Sequence, residues 1–169
     1  MKTHILILGL VIVLAFTNKL NAQEDQKRQI GISATIQNDQ LGFLLPIWIT
    51  DKITISPAIN FSYAEKVGTD YSLGIVPKFY LRTGKVSPFV DLRVGALFNN
   101  PSNTTINKNT VDWLWGVGFG GEYFIDDNFS FGIELQGNFT KSDKNSNRFG
   151  NPGGLNFNIT TLVSANIYF

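Results

Sequence analysis

The stretch Phe157-Asn-Ile-Thr-Thr-Leu-Val-Ser-Ala-Asn-Ile-Tyr-Phe169 decides the fold. Phe157, Ile159, Val163, Ala165, Ile167 and Phe169 share one parity, and Asn158, Thr160, Ser164, Asn166 and Tyr168 share the other. Thr161 and Leu162 are the exceptions, one on each side. Alternation at period two describes a strand with one apolar face and one polar face.

Worked back along the chain, the same alternation marks eight runs in all, at about 30–37, 41–49, 53–63, 70–82, 87–98, 111–125, 129–140 and 157–169. No stretch after the amino-terminal segment has helical period. Thr50-Asp51-Lys52, Thr83-Gly84-Lys85-Val86 and Asp126-Asp127-Asn128 read as tight turns. The alternate connections are 38–40, 64–69, 99–110 and 141–156, and the last two are long. Short turns at one end and longer loops at the other are the pattern of membrane barrels.

The two parities differ in charge. The apolar one, in the sixth run for example, holds Val111, Trp113, Trp115, Val117, Phe119 and Tyr123, and no run places a charge on it. The other parity holds Lys78, Arg82, Asp91, Arg93, Asp112, Glu122 and Glu134. An Arg or Lys facing lipid at the bilayer midplane costs about 2–4 kcal/mol, so a charge-free parity on every strand is what lipid contact requires. Aromatics gather at both rims: Phe61, Tyr63, Tyr71, Phe98, Trp113 and Trp115 toward the loops, and Phe79, Tyr123, Phe129 and Phe169 toward the turns. A water-soluble calyx would need the reverse orientation.

The chain of 169 residues suffices for one domain. Its start, Met1-Lys2-Thr3-His4, an apolar run over Ile5 to Phe16, and Leu20-Asn21-Ala22 before Gln23 match the three regions of a secretory signal peptide. The apolar run falls short of the roughly 20 residues of a spanning helix. The expected organisation is a signal peptide at 1–22, a short periplasmic lead at 23–29, and the barrel at 30–169. Cleavage removes Lys2 and Lys19, so the 14 basic side chains become 12 against 13 acidic ones, net −1. That balance gives no sign of a nucleic-acid partner. There is no cysteine, hence no disulfide scaffold and no thiolate metal site.

Few motifs suggest chemistry. Gly116-x-Gly118-x-x-Gly121 fits a dinucleotide fingerprint as a string, but the fingerprint needs a helix opening at the glycines. Here the alternation continues through Tyr123, so no cofactor is expected. Gly116, Gly118 and Gly120 instead sit on the lumen parity and leave room for long side chains opposite. Those are Lys78, Arg82, Asp91, Arg93, Glu122 and Glu134, read as a paired interior network with Lys78 across from Asp91. The network is either a polar plug or a gate whose pairs exchange partners. The mid-strand prolines Pro46, Pro57 and Pro77 are read as bulges, with 57 facing 77; the alternative is a weak seam for sideways passage of an apolar molecule.

The whole run from 30 to 169 resembles the small OmpA/OmpX-type outer-membrane barrels of the porin-like, Bacteroidetes-type branch. The resemblance is carried by Pro88-Phe-Val-Asp-Leu-Arg-Val-Gly-Ala-Leu-Phe98 and Gly116-Val-Gly-Phe-Gly-Gly-Glu-Tyr-Phe-Ile-Asp-Asp-Asn-Phe-Ser130. Val163, Ala165, Ile167 and Phe169 resemble the closing-strand signal read by the barrel-assembly machinery. The implied fold is an all-β, eight-stranded antiparallel up-and-down transmembrane barrel in the bacterial outer membrane, in contact with its lipid and lipopolysaccharide. The leading role is structural or interactive, through envelope integrity or adhesion. A narrow channel or small-solute or lipid transporter comes second, and a lipid-modifying enzyme third. The lipid A deacylases, palmitoyltransferases and omptin-type proteases among such barrels need a histidine, and the only one here, His4, leaves with the signal peptide. Lys141, Lys144, Arg148 and Phe149 in loop 141–156 are the candidates for contact with lipopolysaccharide phosphates or host ligands, together with loop 99–110. The alternative is solvated cover.

Overall fold

The computed structural model describes residues 28–37, 40–65, 68–102 and 108–169. The expected signal peptide and most of the lead lie outside the described residues. β1 (Gly31–Gln37), β2 (Gln40–Leu44), β3 (Ile47–Thr50), β4 (Ile53–Ala64), β5 (Gly68–Tyr80), β6 (Val86–Pro101), β7 (Thr110–Phe124), β8 (Phe129–Lys141) and β9 (Leu155–Tyr168) form one antiparallel sheet. Apart from β2 and β3, which both pair with β4, each strand pairs with its neighbours in sequence. β9 returns to β1 through Gly31↔Tyr168 to Ile36↔Val163, which closes the barrel. Closure leaves no unpaired edge, the condition for strands to cross a bilayer.

Nine segments make eight staves, because β2 and β3 are one strand interrupted at Leu45 and Pro46. β2 pairs with β4 as Leu44↔Ala58, and β3 continues the same register as Ile47↔Ile55. Leu45 N donates to Pro57 O at 3.0 Å and Gly31 N donates to Pro46 O at 2.8 Å. Neither proline has a hydrogen with which to return the bond. The β5–β6 ladder likewise passes from Ile75↔Val94 to Lys78↔Asp91 without a rung at Pro77.

The prolines therefore remove rungs without shifting the register, contrary to the expected bulges. Pro57 faces Ile75, and Pro77 faces Ile55, so the two do not oppose each other. The irregularity in this region falls between Trp48 and Thr50, next to the tight turn. Two further bounds differ from expectation. β6 extends into the expected loop as far as Pro101, and β5 stops at Tyr80. Arg82 therefore lies in the turn, exposed, with its guanidinium directed at Val86 O at 3.5 Å. It is not a lumen residue, because the strand that would have carried the alternation to it has already ended.

The apolar parity faces outward throughout. Ile32, Phe61, Val94, Phe119, Ile133 and Ile159 are all about half exposed or more, as are Val163, Ile167 and Phe169 on the closing strand. Ala165 is partly covered. Rings also meet across strands on this face: Tyr71 stacks on Phe98 at 4.7 Å, and Phe139 packs on Phe157 at 4.8 Å. Cross-strand aromatic pairs of this kind stabilise a sheet and suit the bilayer interface. The buried side chains are mostly polar, with Asp91, Asp112, Glu122, Glu134, Gln136 and Asn138 all nearly sealed from solvent. An apolar exterior over a polar interior is the inverse of a water-soluble domain and marks a transmembrane barrel.

Candidate functional site: a layered lumen

The interior is filled in layers along the barrel axis. The layer nearest the tight turns is aromatic and centres on one carboxylate. Glu122 on β7 accepts hydrogen bonds from Tyr80 Oη at 2.6 Å and Tyr168 Oη at 2.6 Å, from Asn166 Nδ2 at 3.2 Å, and from Ser130 Oγ. Lys78 Nζ stands 3.9 Å from it. Charge-assisted bonds to a buried carboxylate are the strong class. Around this hub, Trp48 stacks on Tyr80 at 4.9 Å, and Tyr80 meets Phe89 edge-on at 5.9 Å. The Arg28 guanidinium covers Phe124 at 3.8 Å, and its Nε donates to Asp127 O at 2.8 Å. These rings occupy lumen positions close to the tight turns, on the parity that otherwise carries the polar side chains.

The middle layer is an ion triad. Arg93 Nη2 donates to Asp91 Oδ1 at 2.8 Å and also bonds Glu134 Oε1. Lys78 is the ladder partner of Asp91, as the hairpin spacing implies. Its ammonium nevertheless lies over the Phe89 ring at 3.9 Å and toward Glu122, while Asp91 is taken by Arg93. Gly118 makes the triad fit: a Cβ there would lie 2.5 Å from an Asp91 oxygen and 2.6 Å from Glu134 Oε1. A Cβ on Gly116 would lie 2.5 Å from Asn138 Oδ1 and 3.2 Å from the Arg93 stem. The lumen glycines of β7 thus provide the volume that the long side chains of β6 and β8 fill.

Above the triad the lining mixes amides and hydroxyls with the apolar Ala58, Val76, Leu97 and Leu114. Gln136 Oε1 accepts from Gln37 Nε2 at 3.1 Å and from Asn138 Nδ2 at 3.4 Å, and Thr160 joins the same cluster. On the opposite wall Asn60 Nδ2 donates to Ser72 Oγ at 2.8 Å. Between the walls lies a cavity of about 270 Å³.

The connection from 142 to 154 folds over this cavity. Asp112, fully buried near the start of β7, accepts from Asp143 N at 2.8 Å and Ser146 Oγ at 2.8 Å. Arg148 turns inward: Nη2 lies 3.2 Å from Asp70 Oδ1 and donates to Phe98 O at 3.2 Å, and Nε is 3.5 Å from Asp112 Oδ2. Its side chain is only 13 % exposed. Arg148 is therefore committed to the barrel mouth and does not stand free as a surface contact, because two carboxylates inside outcompete solvent for it. Phe149 lines the cavity. Lys141 and Lys144 remain outside; Lys141 Nζ donates to Gly153 O at 2.7 Å. The positions 70, 112 and 148 lie on separate hairpins, and no sequence spacing links them.

The described lumen thus pairs three cations (Lys78, Arg93 and Arg148) with five carboxylates (Asp70, Asp91, Asp112, Glu122 and Glu134), where spacing alone had suggested three against three with Arg82.

No family model matches the chain, and no curated protein does. Solved structures do. The N-terminal β-barrel domain of Pseudomonas aeruginosa OprF aligns over 85 % of this chain and 100 % of its own, with a TM-score of 0.58 and 15 % identity. Neisserial surface protein A (NspA) aligns over 83 % of this chain and 93 % of its own, with a TM-score of 0.53 and 11 % identity. At such identities the likeness is one of fold, and the fold is the closed, up-and-down, eight-stranded antiparallel barrel.

Proposed function

We propose that this chain is a bacterial outer-membrane barrel of the small OmpA/OmpX-type group, that it does not conduct solutes, and that it acts by displaying its loops and mouth at the cell surface. The observation that carries this reading is the Glu122 hub. Four hydrogen-bond donors and an ammonium converge on one buried carboxylate, beneath a stack of rings at the turn end. Opening a path there would leave that charge and its partners unsatisfied. The apolar exterior and the outer-membrane origin of OprF and NspA support the location. Outer-membrane lipid, lipopolysaccharide and the assembly machinery are the partners this location supplies. Host or surface ligands would meet Lys141, Lys144 and the loops around them.

A second reading has one observation of its own. The two-carboxylate excess in the lumen would favour cations in a narrow channel. Planar-bilayer recording separates the two. The sealed barrel shows no discrete openings, and Glu122→Ala creates them. Openings in the unaltered protein, reduced by Asp91→Asn, would establish the channel and end the sealed reading.

A further inference from the structure

On the outer wall, the loop-end part of β7, β8 and β9 sets charge above an apolar groove, and we infer that it seats one phosphorylated, acylated lipid of the outer leaflet. The inference deepens the partner reading above and rests on it, since the loop end must lie at the cell surface. Three cross-strand rows descend this face. Lys141 stands between Trp113 and Leu155, Phe139 between Trp115 and Phe157, and Gly137 between Val117 and Ile159. Every side chain in these rows is exposed. Four residues at about 3.4 Å each put Gly137 roughly 14 Å below Lys141.

The top row supplies the charge. Lys141 Nζ donates to Gly153 O at 2.7 Å. Lys144 Cγ and Cα lie 3.6 and 3.8 Å from where a Gly153 Cβ would stand, so the two lysines flank one residue. Among the described residues neither lysine is in an ion pair. The carboxylates close to them are engaged elsewhere. Asp143 Oδ1 accepts from Asn145 N at 2.7 Å and from its Nδ2 at 3.2 Å, and Asp112 is buried beside Arg148. An ammonium has three donors, so Lys141 keeps two for an anion. A phosphate supplies several acceptor oxygens and a charge to match, whereas a zwitterionic head brings an ammonium of its own.

The bottom row supplies the place for a chain. At Gly137, where no side chain fills the space between Val117 and Ile159, a groove of about 640 Å³ opens, bordered also by Leu92, Phe119 and Leu135. Asp91 and Gln136 border it too, but both side chains are buried on the lumen side. A Cβ on Gly137 would meet only the Phe157 ring, at 3.5 Å, so a larger residue would fit there and fill the groove. An acyl chain hanging from a head on Lys141 runs past Phe139 and Phe157 into this space. The middle row puts aromatic rings at the interface between head and chain. A soluble anion would use the lysines alone, and an uncharged lipid the groove alone; an anionic lipid uses both. A second barrel related by a two-fold axis along the membrane normal would set lysines of equal height against each other, where like charges repel.

The test uses the full chain folded in detergent micelles, titrated with diphosphoryl lipid A, phosphatidylethanolamine or inorganic phosphate and read by native mass spectrometry. The barrel should retain one lipid A, and hold phosphatidylethanolamine at least about tenfold more weakly. Lys141→Gln combined with Lys144→Gln should weaken lipid A at least about tenfold, and so should Gly137→Leu, while heat-modifiable gel mobility reports an intact barrel. Lys85→Gln, at the opposite rim, should leave retention as it was. Should Gly137→Leu fail to fold, the lysine pair on the exposed rim still decides. The inference is overturned if either folded variant retains lipid A as before, or if phosphatidylethanolamine or inorganic phosphate binds as tightly. A lipid-free dimer that Gly137→Leu splits would overturn it too, by giving the groove to a second copy. Protease added to whole cells keeps the two readings apart. A barrel cut within 142–154 from outside that retains no lipid A sinks only the lipid seat, whereas loops cut only after the outer membrane is broken sink the surface reading.

Discussion

Below the level of Arg93 the barrel interior is rings and ions packed against one another; above it, amides, hydroxyls and a few apolar side chains surround open space. The turn-end half satisfies Glu122 with neighbouring donors and covers it with Trp48, Tyr80, Phe89 and Tyr168. The loop-end half encloses a cavity of about 270 Å³ and closes itself with a loop. The same alternating pattern built both halves. The difference lies in what occupies the polar parity: large side chains near the turns, and short neutral ones beside glycine near the loops. A filled half resists deformation, and a half with open space leaves its side chains room to move.

The contrast can be broken most severely at Glu122. Glu122→Ala should cost about 3–5 kcal/mol in reversible unfolding from lipid vesicles, because Lys78 is left inside without its counter-ion. A loss below about 1 kcal/mol would mean the turn-end half is no firmer than the other.

Gly118→Ala tests the middle layer. Its new methyl collides with the Asp91 and Glu134 carboxylates, and overpacking of this kind costs about 1–3 kcal/mol. The same substitution at Gly121, whose Cβ would meet nothing within 4 Å, is the control and should leave the unfolding curve where it was.

Asp112→Ala acts on the loop-end half alone. It removes the acceptor for Asp143 N and Ser146 Oγ, each a bond to a charged group of about 1.5–3 kcal/mol. Proteolysis within 142–154 should accelerate at least tenfold, while global unfolding moves little. A parallel loss of global stability would show that the roof and the barrel unfold together.

The smallest effect belongs to the rim. Asp127→Ala breaks an ion pair to Arg28 at 3.5 Å, but the Asp127 side chain is 95 % exposed. Unfolding should shift by less than about 0.5 kcal/mol, with Arg28 still lying over Phe124.

Much of this is legible in the sequence. Strand number, orientation, the positions of the tight turns and the inward ion-bearing parity follow from period-two alternation, since a strand inside a bilayer tolerates no charge on its outer face. The ladder pairing of Lys78 with Asp91 follows from the length of one turn. The same local rule failed beside the turns. Arg82 continues the parity on paper, but the strand ends at Tyr80 and the residue swings out to solvent. Pro46, Pro57 and Pro77 looked like register breaks, yet pairing lapses beside them and resumes in step.

The sequence by itself determined which side of every strand meets lipid, because that choice is made residue by residue within a strand. Only the tertiary structure decided which charges meet. Arg148 reaches Asp70 and Asp112, and Glu122 gathers Tyr80, Asn166 and Tyr168, across staves far apart in the chain. Such contacts are set by the curvature and register of the closed barrel, which bring distant strands to face one another across a lumen barely one side chain wide.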